Sequence, residues 1–555
     1  MDGSAEQAPG ATGGRNRIAA ATGFAAIALL GLALHWEFAK AKTAGLLEHD
    51  ESISLLAAAG KSDRMAALNA TPDRVRIMAA SELQALLRPT GDTGFADVWR
   101  SVVNYDVHPP LYFWLLHGLE RVGITSLRLL RLIGFAALLA AAIVADRWIW
   151  PTASPWARLP AFGMLIAAPV FVDLATELRQ YAIVWLGIVL TIAALAKLDR
   201  GGNRGSAIVV LGIAGVLLVW THLGSVAWVA IALLVAIWLA SRDDRRRAWP
   251  LLATGLAIGA LVMPLALANW NPVAVGRAEA SEISLTAAIE FGARMSRSIA
   301  ETFIWQPVRT DGSTMVVALT GTRLDEWLPR GVVVLTPLLL AIAAVWLAAA
   351  SGRFEKALLV GGGVWSLAWL AGLSLGKIPE HATAPKYLAP MTLALMAIVV
   401  RATDSKLNMR RRAAIGILLI SLATAPIGWT VRLPSTGVAQ GREIDPIRAA
   451  QALLVDRPKR GQVLPIAEKL SPGATVIIAE PEAAMANWKD VEAALPKERL
   501  VVLEIDAERA PPEAKTARTA VFEKLRALYG DEHEFRRGSS RTMTEFRSRR
   551  DDARN

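Results

Sequence analysis

Long apolar stretches recur through the first 430 residues of the 555-residue chain, separated by short polar segments. Each is about 15 to 21 residues long, close to the roughly 20 residues with which a helix crosses the hydrocarbon core of a bilayer. Helices satisfy their own backbone hydrogen bonds there, so the pattern predicts a polytopic all-α membrane protein. Eleven spans are predicted, at residues 18–38, 129–149, 159–174, 182–198, 206–220, 223–240, 249–268, 331–350, 357–375, 387–400 and 413–430.

The apolar segment Pro110–Val122, with the sequence PLYFWLLHGLERV, decides the sidedness of every later span. As a helix it would cover only about 20 Å, which is short of the roughly 30 Å core. It also contains His117, Glu120 and Arg121. We therefore expect it to lie along the outer membrane surface rather than to cross.

The basic residues of the loops support this choice. Without a span at 110–122, the five loops on one side hold sixteen lysines and arginines. The short loops on the other side hold only Arg179, Lys377 and Lys386. Because lysine and arginine concentrate in cytoplasmic loops, the first set is predicted to be cytoplasmic and the second periplasmic, in a bacterial inner membrane.

This topology predicts a domain order along the chain. Residues 1–17 form a cytoplasmic N-terminus, and residues 18–430 form the transmembrane domain, with large external loops at 39–128 and 269–330. Within the first loop, helical patterns at 50–59, 81–88, 95–104 and 110–122 are separated by glycine or proline, which predicts surface helices.

The part after residue 430 has a different pattern. Two β-rich runs, at 474–479 and 499–505, flank a helical pattern at 483–495, so residues 431–535 are predicted to form a small external α/β domain. The polar, basic residues 536–555 are predicted to be a disordered tail.

Composition excludes several classes of function. The chain has no cysteine, which rules out disulfides, thiol nucleophiles and cysteine zinc sites. Its net charge of +11 is explained by the cytoplasmic loops of a membrane protein, so we expect membrane lipid and no nucleic acid as a partner. No P-loop or dinucleotide fingerprint follows a predicted strand, which argues against nucleotide chemistry.

Four polar clusters fall where the topology places the outer face. Ionisable residues at a membrane boundary are costly when unpaired, so their convergence indicates a site. In chain order the clusters are His49-Asp50-Glu51-Ser52, Asp106-Val107-His108-Pro109-Pro110-Leu111-Tyr112, Glu177-Leu178-Arg179-Gln180-Tyr181, and Lys386-Tyr387 preceded by His381.

The order of these motifs resembles the GT-C glycosyltransferases. The group that looks most similar is the bacterial members of the dolichyl-phosphate-mannose protein mannosyltransferase type, glycosyltransferase family 39. The resemblance covers residues 18–200 well and 380–400 weakly, and the C-terminal part is not covered. It implies a GT-C-like bundle that takes a sugar from a lipid-phosphate carrier on the non-cytoplasmic side, with the first acid of the Asp-Glu pair, here Asp50, as base. Lys386 stands where arginine is common, which keeps the charge but loses the bidentate fork.

The chemistry of such a transfer needs a base for the acceptor hydroxyl and cations for the departing phosphate. Asp50, with Glu51 beside it, is the candidate for the first role. Candidates for binding the donor sugar and its phosphate are His108, Glu177, Arg179, Tyr181, Lys386 and Tyr387, and Arg128 or Arg131 could add charge. The expected partners are a polyprenyl-phosphate-linked sugar and a glycan, lipid or protein acceptor.

No cofactor is required by this scheme. Some GT-C enzymes hold a divalent ion, and Glu51 or Glu177 could help to bind Mg²⁺ or Mn²⁺, but oxygen ligands alone do not identify a metal from one sequence. The metal therefore stays open.

Each motif also has a structural interpretation. Asp50 could be the N-cap of the following helix, His108-Pro109-Pro110 a rigid turn, and Glu177, Arg179 and Tyr181 interfacial anchors. Three other functions stay open: a lipid or oligosaccharide transporter, an O-antigen-type ligase or polymerase, and a non-enzymatic assembly subunit. A transporter would be expected to show repeated halves, and a ligase a late basic loop.

Overall fold

The computed structural model describes residues 11–69, 74–106, 108–167, 169–241, 245–268, 444–457, 459–505, 511–537 and 541–548, together with Met396 and Val400. The chain folds into two compact units, and each is discontinuous in sequence. The membrane unit comprises residues 1–38 and 131–432, and the mixed unit comprises residues 39–130 and 433–555.

Long apolar helices make up the described part of the membrane unit. Five helices of the described residues are long and apolar enough to cross a membrane, at Ile18–Ala44, Leu127–Ile149, Tyr181–Asp199, Arg204–Thr221 and Arg246–Leu265. The chain is thus a polytopic helical membrane protein, as its apolar pattern predicts. The helices in chain order are α1 Ala11–Ala44, α7 Leu127–Val144, α8 Pro155–Ala167, α9 Pro169–Thr176, α10 Tyr181–Asp199, α11 Arg204–Thr221, α12 Ser225–Ser241 and α13 Trp249–Ala268.

The predicted spans can be compared with these helices one by one. The spans at 18–38, 129–149, 182–198, 206–220 and 249–268 coincide with the five long helices. The span at 223–240 is the 17-residue helix α12, and the span at 159–174 corresponds to two helices, α8 and α9. The four later spans lie outside the described residues, except that Met396 and Val400 are helical and buried in the core of this unit.

Small residues and one buried hydrogen bond pack α10 against its neighbours. Gly187 of α10 lies against Leu218 of α11, where a Cβ atom would come within 2.7 Å of Leu218 Cγ. Such close approach at a small residue is typical of helix packing in membranes. Trp228 Nε1 of α12 donates a hydrogen bond of 2.9 Å to Thr191 Oγ1 of α10. These contacts fix the position of α10, which begins at a predicted site residue, Tyr181.

A six-stranded mixed sheet organises the second unit. The strand order is β1-β3-β2-β4-β6-β5, with β2, β3 and β4 parallel and the outer pairs antiparallel. The strands are β1 Arg76–Ala79, β2 Ala452–Val455, β3 Thr475–Ile478, β4 Arg499–Ile505, β5 Gly530–Arg537 and β6 Arg541–Ser548. The helices are α2 His49–Ala58, α3 Ser62–Asn69, α4 Ala80–Leu86, α5 Phe95–Tyr105, α6 Leu111–Arg121, α14 Arg460–Ala467, α15 Pro481–Ala486, α16 Trp488–Ala494 and α17 Pro512–Tyr529.

The three central strands are apolar because they are covered on both faces, as parallel strands usually are. Leu453 of β2 lies between Val476 of β3 and Val501 of β4, and all three side chains are buried. The predicted β-rich runs at 474–479 and 499–505 correspond to β3 and β4.

An ion-pair cluster fastens α17 to the carboxyl ends of the parallel strands. Arg518 of α17 contacts Asp456 Oδ2 at 2.6 Å, just after β2, and Glu504 Oε1 at 3.2 Å, near the end of β4. Burial raises the pKa of Asp456 to about 6 and that of Glu504 to about 7, although Arg518 opposes both shifts. The cluster is an internal contact that orients α17 on the sheet.

Two features of the mixed unit differ from the sequence-based expectation. The long loop after the first span supplies β1, which pairs antiparallel with β3, so this loop and the C-terminal α/β segment form one unit rather than separate domains. Residues 541–548, expected to be disordered, form β6 and pair with β4. The basic composition there predicts disorder, but Met543 and Phe546 are fully buried in the sheet core, and this burial offsets the entropic cost of ordering the strand.

Candidate functional site

The predicted acidic pair lies in the first turn of α2, shortly after the first membrane helix. The N-cap of α2 is Glu48, and Asp50 is the second residue of the helix. Asp50 therefore does not cap this helix, contrary to the structural interpretation of the motif. Its carboxylate still lies at the helix N-terminus, where the exposed amide groups and the helix dipole favour negative charge.

Asp50 and Glu51 have different environments although they are adjacent. Glu51 is 1% exposed, and its Oε2 accepts a 3.0 Å hydrogen bond from the backbone N–H of Glu48, as in a capping box. Asp50 is only partly buried. Glu51 is therefore buried in this capping contact, and Asp50 is the more exposed acid of the pair.

The far end of α2 is held firmly. The helix ends at Ala58, and Gly60 has a positive φ of 72° that reverses the chain. His117 Nδ1 of α6 lies 2.8 Å from the carbonyl oxygen of Ala58, and because a carbonyl only accepts, Nδ1 must carry the proton. Helix α2 also packs against α5. Helix α2, which carries the two acids, therefore packs against α5 and α6 of its own unit.

The charged residues Glu120 and Arg121 of α6 have partners within the mixed unit. Arg88 Nη1 contacts Glu120 Oε1 at 2.5 Å, and Arg121 Nη1 donates to the carbonyl oxygen of Thr90 at 3.1 Å. Burial raises the pKa of Glu120, and Arg88 opposes the shift. The helix has 11 residues. Its length and its polar contacts agree with the expectation that this segment does not cross the membrane.

The second motif forms a compact acid–imidazole pair. His108 donates to Asp106 Oδ1 twice, from its backbone N–H at 3.0 Å and from Nδ1 at 2.6 Å. The Asp106 side chain is buried, and the His108 side chain is largely buried. The carboxylate thus fixes the orientation of the His108 ring, just before Pro110 caps α6. Asp106 therefore stabilises the turn before α6 and also orients the imidazole ring of His108.

The third motif lies in the membrane unit, between α9 and α10. Gln180 is the N-cap of α10 and Tyr181 its first residue. The Arg179 guanidinium carbon lies 5.8 Å from the centre of the Tyr181 ring, within cation–π range. The Tyr181 ring is 6.3 Å from the ring of His222, the C-cap of α11. Glu177 is partly buried.

Helix α7 packs against the residues that immediately precede this motif. A Cβ atom on Gly134 would overlap the backbone of Ala175, so the two backbones are in direct contact. One turn earlier, Arg131 Nη1 donates a 2.5 Å hydrogen bond to the carbonyl oxygen of Thr176. Arg131 is 1% exposed and Arg179 5% exposed. The guanidinium groups of Arg131 and Arg179 are thus both buried near the start of α10. From the sequence, Arg131 is predicted only to add charge to the phosphate site.

Gln180 is a residue that the sequence analysis missed. It is 0% exposed, and among the residues that the structure describes no hydrogen bond reaches its amide nitrogen or oxygen. A buried amide is costly without partners. The sequence offers one signal: Gln180 is a neutral amide between Arg179 and Tyr181 at a predicted membrane boundary. An apolar residue there would avoid the free-energy cost of burying an amide.

The structure distributes the predicted site residues over both units. Asp50, Glu51 and His108 belong to the mixed unit, whereas Glu177, Arg179 and Tyr181 belong to the membrane unit. The predicted residues Lys386 and Tyr387 lie outside the described residues. Within the described part of the chain, no group of three or more histidines, aspartates or glutamates could hold a metal ion.

Comparison with known proteins gives a weak likeness in structure and none in sequence. No protein-family model matches the chain, and no curated protein matches it. Its structure is similar to that of ArnT from Cupriavidus metallidurans in the apo state, with a TM-score of 0.46 and 13% identity over 95% of this chain and 98% of that one. ArnT bound to undecaprenyl phosphate gives a TM-score of 0.44 and 14% identity over 94% and 97%.

Proposed function

We propose that the chain is a GT-C-type glycosyltransferase that moves a sugar from a polyprenyl phosphate to an acceptor hydroxyl. The observation that carries the proposal is the difference in burial between the two acids after the first span. Glu51 is buried in a local capping contact, whereas Asp50 is partly exposed at a helix N-terminus. The ordered motifs that resemble family 39 supply the reaction class. The acceptor is a glycan, a lipid or a protein of the cell envelope.

In the proposed transfer, each bond, proton and electron pair can be assigned to the substrates or to a named residue. A bond forms from the acceptor oxygen to the anomeric carbon of the sugar, and the bond from that carbon to the phosphate oxygen breaks. Asp50 takes the acceptor proton. The electron pair of the broken bond remains on the polyprenyl phosphate, and the cations Arg179 and Lys386 balance its added charge. A phosphate leaves readily, so no second carboxylic acid is needed, unlike in glycoside hydrolysis.

The donor site in this proposal combines charge with oriented polar groups. Arg179 is buried, and a guanidinium fork matches phosphate oxygens in geometry. His108, whose ring Asp106 orients, and Tyr181 would contact the sugar or the phosphate, and Glu177 and Tyr387 would complete the donor site. One of the ArnT structures contains undecaprenyl phosphate, which belongs to the class of carrier proposed here.

We place this site and the mixed unit on the periplasmic side of a bacterial inner membrane, because lysine and arginine favour the opposite loops. The cysteine-free chain allows a direct test. A cysteine at the exposed Ser471 should react with an impermeant thiol reagent added to intact spheroplasts, whereas one at the exposed Thr152 should react only after lysis. Labelling of Thr152→Cys from outside would contradict the orientation.

Glycan analysis tests the reaction itself. Cells with and without the gene should differ by one sugar mass in the envelope glycan, lipid or glycoprotein fraction, measured by mass spectrometry of all three. Purified protein in lipid nanodiscs should then release polyprenyl phosphate from a matching polyprenyl-phosphate sugar. If none of the three fractions changes, and no lipid-linked sugar from a panel of hexoses and pentoses is consumed, the chain is not such a transferase.

A further inference from the structure

The first turn of α2, the helix that carries Asp50, contacts the C-terminal segment of the same unit, residues 433–555. Helix α2 packs against α14, and the ring of His49, the first residue of α2, lies directly over Gly461, the second residue of α14. A Cβ atom on Gly461 would overlap Nδ1, Cε1 and Cγ of that ring. With the exposed ring of His49 in this position, only the hydrogen of a glycine fits beneath it.

Helix α14 is fastened to the same surface at its other end. Gln84 Nε2 of α4 donates to the carbonyl oxygen of Ala467, the last residue of α14, and to that of Leu470 just beyond the helix, both at 2.9 Å. Lys469 Nζ donates to the carbonyl oxygen of Thr43, also at 2.9 Å, in the last turn of α1 and a few residues before α2. The C-terminal segment thus forms hydrogen bonds with α4 and with Thr43, which precedes α2 in the chain. It also contacts His49, the first residue of α2.

The strand pairing adds rigidity to this attachment. Strand β1 pairs with β3 over four residues, from Arg76 opposite Ile478 to Ala79 opposite Thr475. The backbone N–H of Ala80 continues the pairing with a 2.8 Å hydrogen bond to the carbonyl oxygen of Ala474. Because α14 connects β2 to β3, which pair in the same sheet, both ends of the helix that carries Gly461 lead into that sheet.

We infer that the C-terminal segment positions Asp50 for transfer through the contact of Gly461 with His49. Gly461 and His49 are then positioning residues, and the segment is a part of the transferase site rather than an appended domain. The inference rests on the proposed function, in which Asp50 is the base. Its physical reason is that a displacement of about 1 Å at a reacting group can cost roughly 10²-fold in rate.

The test first enlarges Gly461 beneath the His49 ring and then removes that ring by a second substitution at His49. In Gly461→Val, β-branched bulk fills the space of the imidazole, and kcat should fall by about 10- to 100-fold with little change in the KM for donor. The double variant His49→Ala/Gly461→Val should regain most of the lost rate, because the alanine makes room for the valine. His49→Ala alone should lose much less than Gly461→Val alone.

A matched control separates position from general damage. Gly473 lies in the turn before β3, and a Cβ atom there would meet nothing within 4 Å, so Gly473→Val should transfer normally. If Gly461→Val prevents folding, Gly461→Ala with the same His49→Ala rescue replaces it. Wild-type rate in Gly461→Val, or a double variant no faster than the single one, would overturn the inference.

Hydrogen exchange distinguishes this inference from the proposed function. Peptides that cover α2 should exchange faster in Gly461→Val and return toward the wild-type rate in the double variant, whatever reaction the protein catalyses. If exchange follows this pattern but the wild type transfers no sugar, the proposed function fails and the contact stands. If transfer is observed but exchange and kcat are equal in all variants, the inference alone fails.

Discussion

Replacing Asp50 by Asn is expected to slow sugar transfer by about 10²- to 10⁴-fold while the protein stays folded. The amide keeps the shape of the carboxyl group but loses its negative charge and its ability to take the proton of the acceptor hydroxyl. Donor binding should change little, because the proposed phosphate-binding cations are unaltered. The measurement is single-turnover transfer by purified protein in nanodiscs, with the donor affinity determined in parallel.

Two control substitutions make this result specific. Asp63 is the second residue of α3, as Asp50 is of α2, and it is exposed, so Asp63→Asn removes an equivalent charge from a helix N-terminus. It should cost at most about 1 kcal/mol of stability and no activity. Glu51→Gln can still accept the hydrogen bond from Glu48 and should also remain active. Near wild-type transfer by folded Asp50→Asn would reassign the base.

Removal of Arg179 is expected to produce the second large effect. Arg179→Ala should reduce kcat/KM for the lipid-linked donor by roughly 10²- to 10³-fold, the scale found when a preorganised donor to a developing anion is lost. The KM for acceptor should change much less. Arg179→Lys should recover only part of the loss, because an ammonium group keeps the charge without the fork.

An arginine at the other end of the same helix provides the control. Arg200, the C-cap of α10, donates to the carbonyl oxygen of Ile149 at 3.1 Å. Arg200→Ala should lower the melting temperature without changing the balance between donor and acceptor kinetics. Equal, small effects of Arg179→Ala on both substrates would make Arg179 an interfacial anchor.

Local patterns in the sequence predict most of the helices. An apolar run at 182–198 becomes α10, Tyr181–Asp199, because a long apolar helix needs no partner elsewhere in the chain to satisfy its backbone. The helices of the first long loop also end where glycine or proline predicts. The stretch predicted to end at Gly60 is α2, His49–Ala58, and Gly60 follows it with a positive φ. The predicted run 499–505 is β4.

Features that depend on distant residues were not predictable in this way. Strand β1 has four residues, and it is recognisable only beside β3, where Met78 lies opposite Val476. Strand β6 contains several charged residues, and its place in the sheet depends on pairing with β4 and β5. In the candidate site, the sequence marks Asp50, His108 and Arg179 by motif, but the capping by Glu51, the buried Gln180 and the contact of His49 with Gly461 require the fold.

The pairing of β1 with β3 also constrains how the protein is made. The partner of β1 is translated roughly 400 residues later, which is some 20 to 80 seconds of synthesis at about 5 to 20 residues per second. Throughout that interval β1 lacks the partner for its backbone groups, and an unpaired strand edge invites pairing with other chains. Translation and membrane insertion must therefore be nearly complete before the acid-bearing helix acquires its final support, so a nascent chain that stops early exposes the first loop without assembling the site.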